Sequence, residues 1–330
     1  MNLRIASTSL FLRVSGFLRR LGFWTLPLFV LSATWDRAEE YTLTSPDGNL
    51  RVLLKDGDGI RYTLQIGGSV VLTESRLGLR FQDGTTWGPK THFVGRVTSA
   101  ADTTWDNPFG KDRLVRDHYN ELSLSTSTSG SPLDPTLIVR AYNDGLAFRY
   151  RMPAKGQLTI IAADLSTYHF AGDYPCWAGT PSNCAESTYS QTTVDHLPAG
   201  KNVAPVLVQT PSAYVALCEA DLRKWAGSFF SGGGTGADLN SVQVVLSPWH
   251  VIMAGETMSD LFESELINNL ATPSRLQDIT WIKPGITAWD PWWPGVEVPG
   301  APAHGDNRAN AFRQGVYRSR LRDGLAISAH

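Results

Sequence analysis

The chain has 330 residues, 42% hydrophobic and 18% charged, with 29 Lys and Arg against 31 Asp and Glu for a net charge of −2. Such a composition buries a core in one large or two modest domains and lacks the basic field that draws phosphate backbones, so no nucleic-acid partner is expected. Eleven Trp and ten Tyr suit either a large β core or stacking on sugar faces, and the count alone does not choose between them.

In chain order, residues 1–38 read as a secretory signal peptide. Arg4, Arg13, Arg19 and Arg20 precede an apolar run from Leu21 to Leu31, with small residues at Ser32, Ala33 and Ala38. The run is shorter than the roughly 20 residues of a membrane-spanning helix. Export to the periplasm or the medium is therefore expected, without a membrane span.

From 41 to about 255 the pattern is strands and turns. Leu50 to Leu54 is followed by Lys55-Asp56-Gly57-Asp58-Gly59 and then by Ile60, Tyr62, Leu64 and Ile66 at alternate positions, which predicts a hairpin with one buried face. Similar short runs occur at Leu79 to Phe81, Leu122 to Ser125, Leu137 to Tyr142, Ala147 to Arg151, Val206 to Gln209, Val215 to Cys218 and Val242 to Leu246. Many short strands without helical periods between them predict an antiparallel sandwich. Asn143-Asp144-Gly145 reads as a tight turn between two of them. Arg149 and Arg151 read as surface side chains on one face, and Glu219 as a structural partner of Arg223 or Lys224.

One helix is predicted after Gly255. Thr257 and Asp260 have capping spacing, and Met258, Leu261, Phe262, Leu266 and Leu270 recur at three- and four-residue intervals before Pro273. Its stripe must pack on a sheet face or on another domain.

Reactive motifs are few. Cys176 and Cys184 bracket a loop whose closure as a disulfide would add roughly 2.5 kcal/mol. Cys218 reads as a buried thiol. The cysteine and histidine spacing gives no zinc site, and the Ser231 to Gly236 run lacks the Lys of a phosphate loop.

Four segments, in order, resemble glycoside hydrolase family 97. Trp105 to Gly110 with Asp117 to Leu122 is similar to its W…G…hYNEL stretch, and Val139 to Tyr150 to its R-x-Y-x-D-G-x-A-F-R-Y strand pair. Cys218 to Leu222 with Trp225 to Gly227 is similar to its E-A-x-L-x-x-Y-A-G motif. Ser247 to Gly285 resembles its T-P-W-R-x-I…W-I-K-P-G linker.

The resemblance implies an all-β fold: an antiparallel β-sandwich (supersandwich) over 41–275 with one helix, and a linker toward a (β/α)8 barrel begun at 276–293. Such a barrel needs about 250 residues, whereas 50 remain from Trp281 onward. The Ala, Pro, Gly and Arg-rich stretch 294–330 has no useful apolar period and is expected to be disordered. By resemblance the intact enzyme is a calcium-dependent α-glucosidase or α-galactosidase acting on α-linked oligosaccharides. Glycoside cleavage uses two carboxyl groups about 5–9.5 Å apart, and in this family both come from the barrel. No catalytic residue is therefore assigned, and this chain alone is expected not to hydrolyse.

The resemblance implies one metal ligand, Glu186. It lies in Ala185-Glu186-Ser187-Thr188-Tyr189, similar to the family's Y-E-x-x-Y context, with Ala185 in place of the first aromatic. Ca²⁺ takes six to eight oxygens and one Glu supplies about two, so this chain by itself should hold the ion weakly. Two other readings are a stand-alone carbohydrate-binding module and an interaction domain completed by a separately encoded barrel.

Overall fold

The computed structural model describes residues 38–283, except 109, 132, 154–160, 181–187, 201, 224, 226 and 233–246. The signal-peptide reading of 1–38, the strand expected at Val242 to Leu246 and the stretch 294–330 thus fall wholly or almost wholly outside the described residues.

Four strands open the chain: β1 (Glu40–Thr44), β2 (Leu50–Lys55), β3 (Arg61–Ile66) and β4 (Ser69–Arg76) form an antiparallel meander in that order. The predicted hairpin is present, with Leu50 opposite Ile66 and Lys55 opposite Arg61. Next come β5 (Leu79–Phe81), β6 (Thr86–Trp87), β7 (Thr91–Asp106), β8 (Leu114–Thr128), β9 (Thr136–Tyr142), β10 (Gly145–Arg151) and β11 (Ile161–Asp164). The remaining strands are β12 (Pro175–Gly179), β13 (Ser190–Thr193), β14 (Asn202–Gln209), β15 (Tyr214–Ala220), β16 (Phe229–Phe230) and β17 (Trp249–Gly255).

A ten-stranded sheet runs β13-β12-β14-β15-β17-β10-β9-β8-β7, with β16 on β14, and a small sheet runs β11-β5-β6. Among the described residues all strand pairings are antiparallel. Alternation explains the layering. In β2 and β3 every second side chain is buried, and those side chains join Leu122, Leu137, Phe148 and Val215 of the large sheet in one apolar core. Trp87, fully buried, meets Tyr150 edge-on at 5.0 Å and donates its indole N–H to Thr126 Oγ1 at 2.9 Å.

Ser247-Pro248-Trp249, the start of the linker-like segment, leads directly into the interior of the large sheet. β17 lies between β15 and β10. Ser247 Oγ accepts from Tyr150 N–H at 2.9 Å and Ser247 N–H donates to Tyr150 O at 2.9 Å, stitching the entry of β17 to the end of β10.

The expected helix over 257–272 forms as two short pieces, α1 (Met258–Glu263) and α2 (Leu266–Leu270). Ser264 leaves helical geometry (φ −59°, ψ 132°). Its Oγ donates to Asp144 Oδ2 at 2.6 Å and accepts from Leu266 N–H at 3.2 Å. This break lets α2 bury Leu266 and Leu270 on the outer face of the large sheet against Ile138, Tyr142 and Val251, while Phe262 of α1 stays 72% exposed. The predicted capping box is present: Thr257 N–H donates to Asp260 Oδ2 at 2.7 Å and Asp260 N–H to Thr257 Oγ1 at 3.3 Å. Thr257→Ala is expected to lower stability by about 1 kcal/mol, read as a lower urea midpoint with an unchanged slope. An unmoved midpoint would show that the cap contributes nothing.

Candidate functional site

Three places concentrate polar chemistry. The first is the outer face of the large sheet, where the motif residues meet. Arg140 Nε donates to Glu121 Oε2 at 2.8 Å, and its guanidinium lies 4.0 Å from the Tyr119 ring centre and 4.9 Å from that of Trp249. The Arg149 guanidinium lies 4.6 Å from the Trp249 ring centre, donates to Ser247 O at 2.7 and 3.1 Å, and reaches Asp221 Oδ2 at 3.2 Å. Tyr142 O–H donates to Asp117 Oδ1 at 3.0 Å, and burial holds the Asp117 carboxyl above the usual carboxylate range. Stacked guanidinia and aromatic faces of this kind rigidify a surface.

Asp221 and the tip of the β7–β8 ribbon bind the helical segment to this face. Asp221, at φ 55°, accepts from Arg223 Nε at 2.9 Å, from Thr272 N–H at 3.1 Å and from Thr272 Oγ1 at 2.7 Å. On the other side Trp105 Nε1 donates to Asn269 Oδ1 at 2.8 Å, and Lys111 Nζ donates to Ser264 O at 2.8 Å. The expected partner of Glu219 is Arg223 or Lys224; Arg223 pairs with Asp221, and Lys224 lies outside the described residues. Glu219 instead accepts from Ser228 N–H at 2.8 Å and Ser228 Oγ at 2.6 Å, because the left-handed turn at Asp221 aims the later carboxylate at the arginine. Arg149, read as a surface side chain, is buried and ion-paired, whereas Arg151 is exposed.

The second place is a partly open cavity of about 90 Å³ lined by Asp164, Tyr168, Cys176, Phe230 and His250 among others. Asp164 ends β11 and His250 sits in β17, and His250 Nε2 lies 2.5 Å from Asp164 Oδ2. Phe148 stacks flat on the imidazole at 4.7 Å. Burial alone would discharge His250, yet the neighbouring carboxylate outweighs it and holds the imidazole above its ordinary pKa. Burial likewise pushes Asp164 up, but His250 and the Ser166 N–H, at 2.8 Å, bring it below the usual carboxylate range. The pair resembles the base and orienter of a hydrolytic triad. Its nearby hydroxyl is otherwise engaged, since Ser166 Oγ lies 2.7 Å from Tyr150 Oη. The cavity's Cys176 thiol is pushed up to about 11, chiefly by burial, so it is a poor nucleophile. Cys218, half-buried, is pushed up to about 12 for the same reason. The arrangement is an interior ion pair joining two sheets.

The third place is the β12–β13 edge. Ala178 stands opposite Ser190, so the chain leaves the sheet after β12 and returns at β13. Glu186 and Cys184 belong to the intervening stretch and lie outside the described residues, as the metal-ligand reading and the Cys176–Cys184 closure therefore do; Cys176 itself carries a free, buried thiol. The flanking Tyr189 donates to Ala204 O at 3.2 Å. Among the described residues no cluster of three or more His, Cys, Asp or Glu is placed to hold a metal, and no helix is long and apolar enough to cross a membrane. The Asp164–His250 pair escaped the sequence reading because its members lie 86 residues apart with no local period to mark them.

A sequence family described as "Glycosyl-hydrolase 97 N-terminal" matches residues 43–273. A retaining alpha-galactosidase of Bacteroides thetaiotaomicron is 28% identical over 302 residues, which cover 77% of this chain and 44% of that protein. A probable retaining alpha-galactosidase of Streptomyces bingchenggensis is 27% identical over 309 residues, covering 90% and 47%. The chain thus spans about half the length of the curated relatives it matches. Among solved structures, a glycoside hydrolase family 97 enzyme from Pseudoalteromonas sp. strain K8, seen with panose and with acarbose, has a TM-score of 0.68 at 24% identity over 75% of this chain and 40% of that one. At that identity the likeness shows the fold.

Proposed function

Because the chain belongs to glycoside hydrolase family 97, carrying that family's N-terminal domain, we propose that its sandwich is the substrate-side, non-cleaving half of an exported α-glycosidase of the α-galactosidase or α-glucosidase type. The observation that carries this reading is the family match across the sandwich, from β1 to the end of α2. Two relatives named as retaining alpha-galactosidases, and a structural neighbour that binds panose and acarbose, support α-linked oligosaccharides as the substrate class. The N-terminal apolar run supports export.

The non-cleaving role is supported by the engagement of four carboxylates among the described residues. Asp164 is bound by His250, Asp144 by Ser264, Asp221 by Arg149, Arg223 and Thr272, and Glu121 by Arg140. Each holds two elements together, and a carboxylate so committed is not available to protonate or attack a glycosidic bond. In this reading Glu186 lends its carboxylate to a calcium site completed by barrel oxygens, so calcium binds weakly to the sandwich alone.

A second reading, a domain that docks on a separately made barrel, is favoured by the exposed apolar side chains toward the C-terminal end of the described chain: Phe262 at 72%, Leu276 at 56% and Trp281 at 55%. One chimera tests the proposal. Residues 38–283 replace the corresponding sandwich of the Bacteroides thetaiotaomicron retaining alpha-galactosidase, and α-galactoside hydrolysis is measured with and without calcium. Activity is expected, with its calcium requirement weakened by Glu186→Ala; a folded but inactive chimera would count against the substrate-side role.

A further inference from the structure

Among the described residues the long strand β7 ends the ten-stranded sheet, with β8 as its one ladder neighbour. Their register runs unbroken from Gly95 opposite Ser125 to Asp106 opposite Leu114. The start of β7 is tied inward, where Phe93 N–H donates to Asp56 Oδ2 at 2.7 Å. Farther along, the five consecutive residues Arg96 to Ala100 are all exposed, and Val97 is 68% exposed. Successive strand side chains point to opposite faces, so both faces of the strand meet solvent here.

A bare strand edge is a template for another strand, and natural edges are usually guarded by proline or by repelling charge. No proline interrupts residues 91–106, and between Phe93 and Trp105 the charged residues are Arg96 and Asp102. They have opposite signs and flank Ser99 symmetrically. Asp102 accepts from Arg116 Nε at 2.7 Å and Nη2 at 2.8 Å, and the Arg96 guanidinium lies 5.3 Å from the Tyr41 ring centre.

We infer that this edge docks a second copy of the chain, by antiparallel strand addition across a two-fold axis at Ser99. In that register Arg96 faces the partner's Asp102, Val97 the partner's Ala101, and Ser99 the partner's Ser99. Opposite charges placed directly across strands stabilise the pair. Moving the axis to Thr98 or Ala100 sets Arg96 against Ala100 or Thr104 and loses the match. The contact is self-complementary and closes both free edges at once.

Cysteine cross-linking of the full chain tests the register. Residues facing each other on the axis have Cα atoms about 4.5–5.5 Å apart, within the disulfide range. Two Thr103 residues would stand about 27 Å apart along the paired strands. Under mild oxidation Ser99→Cys is expected to give a disulfide-linked dimer roughly tenfold faster than Thr103→Cys, with the wild-type chain as background for its native cysteines. Sedimentation should show a wild-type dimer that Ser99→Lys, which sets two like charges on the axis, converts to monomer. A wild-type monomer at every concentration, equal cross-linking at 99 and 103, or a dimer indifferent to Ser99→Lys would overturn the inference.

Discussion

Asp164→Ala is expected to destabilise the chain by about 3–5 kcal/mol, because it strands a buried imidazole without its counter-charge. His250 and Asp164 are each 4% exposed at the side chain. With the carboxylate gone, burial works against the charged His250 imidazole, which keeps only the weaker support of Glu219 and of the Phe148 backbone. Asp164→Leu combined with His250→Leu removes both charges and should retain most of the stability that the single variant loses, since apolar replacement of a whole buried pair is often near neutral.

The same pair sets a pH window. Folding raises the His250 pKa, so its contribution is complete below the unfolded value near 6.5 and is lost as the pH rises through the folded value. Folding lowers the Asp164 pKa, so its contribution is present above about 3.9 and is lost as the pH falls through the folded value. Urea unfolding across pH should therefore show this contribution at its greatest between about 4 and 6.5. Its persistence in Asp164→Ala would show that other groups produce it.

Gly145→Ala is expected to cost about 3 kcal/mol, the upper part of the range for overpacking. A Cβ at this position would lie 2.6 Å from Ile252 O, 2.7 Å from Leu266 Cδ2 and 3.1 Å from Met253 Cα. Two of these are backbone atoms of β17, the strand paired with β10, and cannot turn aside as a flexible side chain can. The third belongs to α2, so relief by outward movement would lift Leu266 from the outer-face cluster. A thermal or urea midpoint within error of wild type would contradict this packing.

Gly145 also shows how much was legible in the sequence. Asn143-Asp144-Gly145 announced a turn, and Tyr142 does pair with Gly145 across it. The demand for glycine comes from a strand more than 100 residues later, which no local pattern encodes. The alternation of β2 and β3 was readable because one face is buried and the other wet. The 16-residue strand β7 was not, because ten of its residues are exposed and it is held by its register with β8 rather than by an apolar period. At α1 and α2 the cap and the stripe were visible, whereas the break at Ser264 depends on Asp144, 120 residues away. Arg149 was read as surface for the same reason. Its burial comes from Ser247, Trp249 and Asp221, all brought in by later strands.

The motif residues divide accordingly. Trp105, Glu121, Arg140, Asp144 and Arg149, with Lys111 beside them, bind the ribbon, the sheet and the helical segment into one outer face. A face of this kind can orient a neighbouring catalytic domain without taking part in its chemistry.

That division is tested most directly by incubating the purified 330-residue chain, with calcium present, with nitrophenyl α-galactoside and nitrophenyl α-glucoside and following nitrophenol release. No release above the uncatalysed background is predicted, because Asp164, Asp144, Asp221 and Glu121 are each held in structural contacts. Turnover that survives repurification and scales with protein concentration would contradict the account.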